Sequence, residues 1–178
     1  LEDFQSIRDK IRLGFRAAMI INFPCFVGLF FLAEKVAGLI YNAPGAAGAI
    51  QTMSMGILFL GMHQISTGVL QGLEHTAIPV INMILAGVVK VVLSWWLTAL
   101  PELGVKGAAW ATVADFAVAA ILNMCFIYKY TGFCMTFGSV AKPLLSSGIM
   151  GGVIFVVLHF TESLGAWAIL FAMAAAVP

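Results

Sequence analysis

The chain has 178 residues, 62% hydrophobic and 10% charged, with a mean hydropathy of +1.04, whereas a soluble domain is about 45–50% apolar and about 25% charged. That composition excludes an ordinary soluble globule. Nine Lys and Arg against eight Asp and Glu give a formal charge of +1, without the basic excess of a nucleic-acid binder, so no nucleic-acid partner is expected.

The first 16 residues set Phe4, Ile7, Ile11 and Phe15 at steps of three and four, with Arg8, Lys10, Arg12 and Arg16 among them. This is the pattern of a cytoplasmic interfacial helix; an irregular juxtamembrane linker is the alternative. A bilayer core asks for about 20 mostly apolar residues per helix, and runs of that kind cover residues 17–41, 47–72, 78–100, 107–128 and 143–160, with a truncated run at 164–178. The expected fold is therefore all-α and integral to the membrane, a polytopic bundle of five complete spans and part of a sixth. Turn chemistry agrees: Asn42-Ala-Pro-Gly45 separates the first two spans, Pro79 suits a first helical turn, Pro101-Glu-Leu-Gly104 closes the third, and Lys142-Pro143 opens the fifth. Pro24 lies within the first span and is expected to kink it. A start at Leu1 without Met and a stop at Pro178 inside an apolar run suggest a piece of a longer protein, and the start shows no signal-peptide pattern.

Arg8, Lys10, Arg12 and Arg16 precede the first span and Lys129 and Lys142 lie between the fourth and fifth, against Lys35 and Lys106 at the other side. By the positive-inside rule the start of the first span is cytoplasmic. Tyr128, Tyr130, Phe133 and Phe137 straddle the inner end of the fourth span, where rings favour the headgroup layer, and are expected to anchor it. Cys25, Cys125 and Cys134 show no C-x-x-C spacing, lie in or beside apolar runs and read as packing residues, with neither a disulfide framework nor a metal site indicated.

Inside the spans, Lys90 and Asp115 stand out, because an ionisable group at that depth costs several kcal/mol unless paired or hydrated. The third and fourth spans are joined by a short loop and must form an antiparallel hairpin, in which residues at equal depth share an index sum. Lys90 lies about 18 Å from the inner start of its span and Asp115 about 12 Å from the outer start of its own, the same level in a core about 30 Å thick. Asn82, Ala86, Lys90, Ser94 and Thr98 recur at steps of four, as do Gly107, Ala111, Asp115, Ala119 and Asn123, and each antiparallel match sums to 205. Small and polar stripes of this kind let helices approach and hydrogen-bond in lipid. Two roles compete for Lys90 and Asp115: a proton- or substrate-linked switch facing a water-filled cavity, or a structural ion pair, which the flanking small residues favour. In the second span His63, Gln64, Ser66, Thr67 and Gln71 cluster toward the inner half, and His63, Gln64, Thr67 and Gln71 could line an inward cavity. The alternative is ordinary hydrogen bonding within the bundle. Ser147, Gly148, Gly151 and Gly152 indicate close helix packing in the fifth span. No catalytic motif is present, so no enzyme and no cofactor are expected.

The series Gly68-Val-Leu-Gln-Gly-Leu73, Ile78-Pro-Val-Ile-Asn82, Gly87-Val-Val-Lys90 and Pro101-Glu-Leu-Gly-Val-Lys-Gly-Ala-Ala109 resembles the stage V sporulation protein B type of polysaccharide or lipid-linked oligosaccharide exporter. That type belongs to the multidrug/oligosaccharidyl-lipid/polysaccharide (MOP, MATE-like) superfamily. Asn22-Phe-Pro24 to Tyr41 and Lys142-Pro143 to Gly152 resemble the helices before and after that block. Leu73-Glu74-His75 departs from the small and basic pair usual after Leu-Gln-Gly. The resemblance implies a protein of about fourteen helices in two pseudo-symmetric bundles, of which this chain would form the carboxy-terminal part, packed on a missing amino-terminal bundle. It implies alternating access that moves an undecaprenyl-phosphate-linked saccharide or peptidoglycan precursor across a bacterial cytoplasmic membrane, with membrane lipids as neighbours. A cation-coupled multidrug exporter and a non-transporting scaffold for envelope synthesis are the alternatives.

Overall fold

The computed structural model describes residues 2–101, 103–134, 145–152 and 156, and these contain helices and no strand. Four long helices, α1 (Glu2–Leu39), α2 (Ala47–Gly72), α3 (Ala77–Thr98) and α4 (Gly104–Thr131), are joined by short connections, the first of which holds a 3-10 turn at Pro44–Ala46. Each of the four is long and apolar enough to cross a membrane. Residues 145–152, within the expected fifth span, are also helical. The rest of that span except residue 156, the expected sixth span at 164–178, and Phe137 and Lys142 lie outside the described residues.

The sequence divides an interfacial helix from the first span at residue 17; the structure has one helix of 38 residues that also runs through Pro24. The physical reason is the stripe Ile11, Phe15, Met19, Phe23 and Val27, all buried at steps of four, which holds a single face of α1 on the bundle on both sides of residue 17. Ile11 and Phe15 join Leu70, Ile127 and Phe133 in a core cluster, with the Phe15 and Phe133 rings stacked at 5.9 Å. Phe133 is therefore a packing residue, whereas Tyr128 and Tyr130 are exposed. Arg8 fixes the same end, its Nε donating to the Thr131 carbonyl at 2.7 Å. There α4 stops on Gly132, whose φ of 64° lets its N–H return to Tyr128 O at 2.8 Å.

The packing order is not the chain order. α2 packs on α1 and α4, and α3 packs on α4 while barely meeting α2. Residues 145–152 approach α1 from Gly151, where an added Cβ would lie 2.8 Å from Val27 Cγ1. In α2 every buried position before Leu70 is small, namely Thr52, Ser54, Gly56, Gly61 and Ser66, which permits close approach from both sides. Their hydroxyls bond within α2, Ser54 Oγ to Gln51 O at 2.7 Å and Ser66 Oγ to His63 O at 2.9 Å, so none is left unsatisfied in an apolar layer. α3 buries only Pro79, Asn82 and Ala86; Val88, Val91, Val92, Trp95 and Trp96 are exposed, which suits a helix at the rim. Cys25, Cys125 and Cys134 are exposed as well, a correction to the packing role that their apolar neighbours suggest: apolar faces in a membrane protein are turned outward as often as inward.

α2 ends in a Schellman turn, with His75 N–H bonded to Leu70 O at 2.9 Å and Glu74 N–H to Gln71 O at 3.0 Å. Its left-handed position is held by Glu74, at φ 65°, where a Cβ is strained by about 1 kcal/mol or more. Glu74→Gly is expected to raise stability in chemical unfolding by about 1 kcal/mol; an unchanged or lower midpoint would show that the carboxylate matters more than the backbone.

Candidate functional site

α4 carries the polar residues that tie the bundle together. Asp115 and Asn123, eight residues apart, lie about 12 Å apart along the helix and both engage α3. The Lys90 ammonium is 3.7 Å from Asp115 Oδ2, with side-chain exposures of 42% and 17%. The pair is thus joined by one long contact and half open, so Lys90 retains donors for another anion. Asn82 Nδ2 donates to Asn123 Oδ1 at 2.8 Å in a fully buried contact. The other side of the same amide meets α2, Asn123 Nδ2 donating to Thr67 Oγ1 at 3.0 Å and lying 3.3 Å from His63 Nδ1. One buried side chain therefore links three helices.

The two contacts with index sum 205 at Lys90/Asp115 and Asn82/Asn123 come together. Farther out, Thr98 Oγ1 bonds the Ser94 carbonyl of its own helix at 2.5 Å, and Thr98 is exposed. This part of the polar stripe is local and does not bridge to α4. The α2 residues His63, Gln64, Thr67 and Gln71 do not share a wall. His63 and Thr67, four apart, face α4, whereas Gln64 is exposed beside α1 and Gln71 is exposed at the helix end. The division comes from tertiary packing, since the four positions fall within about 100° of arc on α2 and Asn123 engages only His63 and Thr67. The link from Asn123 back to α2 is what the hairpin reading misses; Thr67 and His63 at i, i+4 opposite a buried Asn was the available signal.

Gly107 explains how α3 and α4 come close enough where their short loop joins them. A Cβ there would lie 2.6 Å from the Leu97 carbonyl oxygen, so the α3 backbone rests on the bare face of α4.

Against this geometry, the family model described as lipid II flippase MurJ matches residues 1–176. The chain belongs to the MurJ family. It is similar to the uncharacterized membrane protein YabM of Bacillus subtilis, 26% identical over 170 residues that cover 96% of this chain and 30% of YabM. It is also similar to the probable low-salt glycan biosynthesis flippase Agl15 of Haloferax volcanii, 22% identical over 153 residues, 85% of this chain and 32% of Agl15. A third relative is stage V sporulation protein B of Bacillus subtilis, 26% identical over 125 residues, 70% of this chain and 24% of that protein. No solved structure matches the chain. The MurJ-family chain thus spans about a quarter to a third of the length of these curated relatives, and it is a multi-pass integral membrane protein.

Proposed function

We propose that the whole protein containing this chain is a flippase that moves a lipid-linked saccharide, on an undecaprenyl-phosphate type of carrier, outward across a bacterial cytoplasmic membrane by alternating access. The observation that carries this reading is the MurJ match over residues 1–176. The printed name of Agl15, a probable glycan biosynthesis flippase, supports the saccharide class. The basic end of α1 is assigned to the cytoplasm by the excess of Arg and Lys there. Lys90 supports a phosphate-bearing headgroup as cargo: it is cationic, set among apolar helices and 42% exposed. A cation-coupled drug exporter would want a free intramembrane acid, and Asp115 is engaged by Lys90.

The test is complementation. The full-length protein is expected to restore growth to bacteria depleted of their lipid II flippase, or to restore surface glycan in a strain lacking a saccharide flippase. Failure in both, with the protein present in the membrane, would overturn the proposal.

A further inference from the structure

The basic end of the bundle holds a second site, apart from the polar residues of α4. An open groove of about 450 Å³ runs between the start of α1 and the end of α2, within the range of about 300–1,000 Å³ typical of small-molecule sites. Its walls are apolar, from Ile11 and Ile65 to Val69 and Leu73, and its polar groups are Lys10 and Gln64. The groove exists because Gly68 and Gly72 leave one face of α2 bare: a Cβ at either position would meet nothing within 4 Å.

Charge and depth identify what fills it. Of the other charges at this end, Arg8 bonds the Thr131 carbonyl and Asp9 pairs with Arg12 at 3.4 Å, while Arg16, farther along α1, and Glu74, just past Leu73, do not line the groove. Lys10 has no carboxylate within salt-bridge distance among the described residues. It stands seven residues before Ala17, where the apolar run begins, hence about 10 Å beyond the hydrocarbon edge and at headgroup level. The apolar walls continue from there toward the hydrocarbon. An unpaired ammonium at headgroup level above an apolar trough is complementary to one class of molecule present on all sides of such a protein, a lipid with a negatively charged phosphate and hydrocarbon tails.

We infer that the α1–α2 groove is a binding site for an anionic phospholipid of the surrounding leaflet, its phosphate on Lys10 and its chains along Ile65 and Val69. The site is independent of the transported substrate and stands whether or not the flippase proposal does.

The experiment uses the full-length protein in detergent, with dioleoylphosphatidylglycerol and dioleoylphosphatidylcholine as probes, bound lipid counted by native mass spectrometry and thermal unfolding followed in parallel. The wild type is expected to retain phosphatidylglycerol over phosphatidylcholine and to be stabilised by it. Lys10→Gln is expected to weaken that retention about fivefold, the effect of one basic charge near an anionic lipid. Gly68→Leu should abolish it by filling the groove, without loss of stability in lipid-free detergent, since Leu is the better helix former. Lys35→Gln, toward the opposite end of α1, should leave retention unchanged. Wild-type retention in both Lys10→Gln and Gly68→Leu would overturn the assignment. So would a drop in the lipid-free unfolding temperature of Gly68→Leu, because it would mean that another part of the full chain occupies the groove.

Discussion

Asp115→Leu is expected to lower the stability of the full-length protein by about 3 kcal/mol, the cost of a lone cationic side chain at the centre of a membrane helix. The wild-type ammonium is 3.7 Å from the Asp115 carboxylate; removing the acid leaves Lys90 charged and without its partner. Half exposure of Lys90 lets its stem bend toward polar surroundings, which sets the upper end of the effect. Removing both charges in Lys90→Met/Asp115→Leu is expected to recover most of the loss, because a charge pair replaced by apolar side chains of similar size is often neutral. The exchanged pair Lys90→Asp/Asp115→Lys should also be more stable than either single reversal. Chemical unfolding of the four single variants and two doubles measures this. If neither double improves on its singles, the pair makes no energetic contact. Transport assays on the apolar double would then separate its two candidate roles, since a structural pair can be replaced with transport kept and a substrate-linked one cannot.

Gly107→Val should cost a similar amount, about 3 kcal/mol, by overpacking. The Cβ it adds would lie 2.6 Å from the Leu97 oxygen and 2.7 Å from the Leu97 carbonyl carbon. Both are backbone atoms of the facing helix, so no rotamer change relieves the overlap and α3 must move off α4. Gly61 is the instructive contrast. There an added Cβ would overlap the Asn22 amide group, the tip of a side chain that can swing away, and Gly61→Ala should cost about 1 kcal/mol. The expected order in thermal unfolding is therefore wild type, Gly61→Ala, Gly107→Val. Equal unfolding temperatures for wild type and Gly107→Val would show that the two backbones do not approach as closely as described.

What could be read from the sequence depended on how local the determining physics was. Helix breaks were legible at Asn42-Ala-Pro-Gly45 and Pro101-Glu-Leu-Gly104, because turn residues act on their own backbone. Register between α3 and α4 was legible because a short loop makes depth a matter of counting, and polar groups at equal counts in an apolar layer have few other partners. The placement of α4 against α2 was not, since no loop joins them and the small residues of α2 are compatible with several neighbours. The continuity of α1 was hidden for a related reason. Ile7, Ile11 and Phe15 give the same periodic pattern whether their face lies on lipid headgroups or, as for Ile11 and Phe15 here, on Leu70, Ile127 and Phe133. Exposure of the cysteines was beyond pattern reading, because in a bilayer the apolar residue that faces lipid and the one that faces protein are chemically alike.

The packing order α1, α2, α4, α3 bears on how the protein is made. A ribosome delivers α3 before α4, so α3 enters the bilayer with little of α2 to hold it. Until α4 arrives, the Asn82 amide and the Lys90 ammonium on α3, together with Thr67 and His63 on α2, all wait for Asp115 and Asn123. α4 must then slide between two helices already in place, and its Asn123 closes both contacts in one step. Assembly at the insertion machinery is thereby tied to synthesis of the fourth helix, and a chain arrested before Asp115 would present a set of unpartnered polar groups that membrane quality control can recognise.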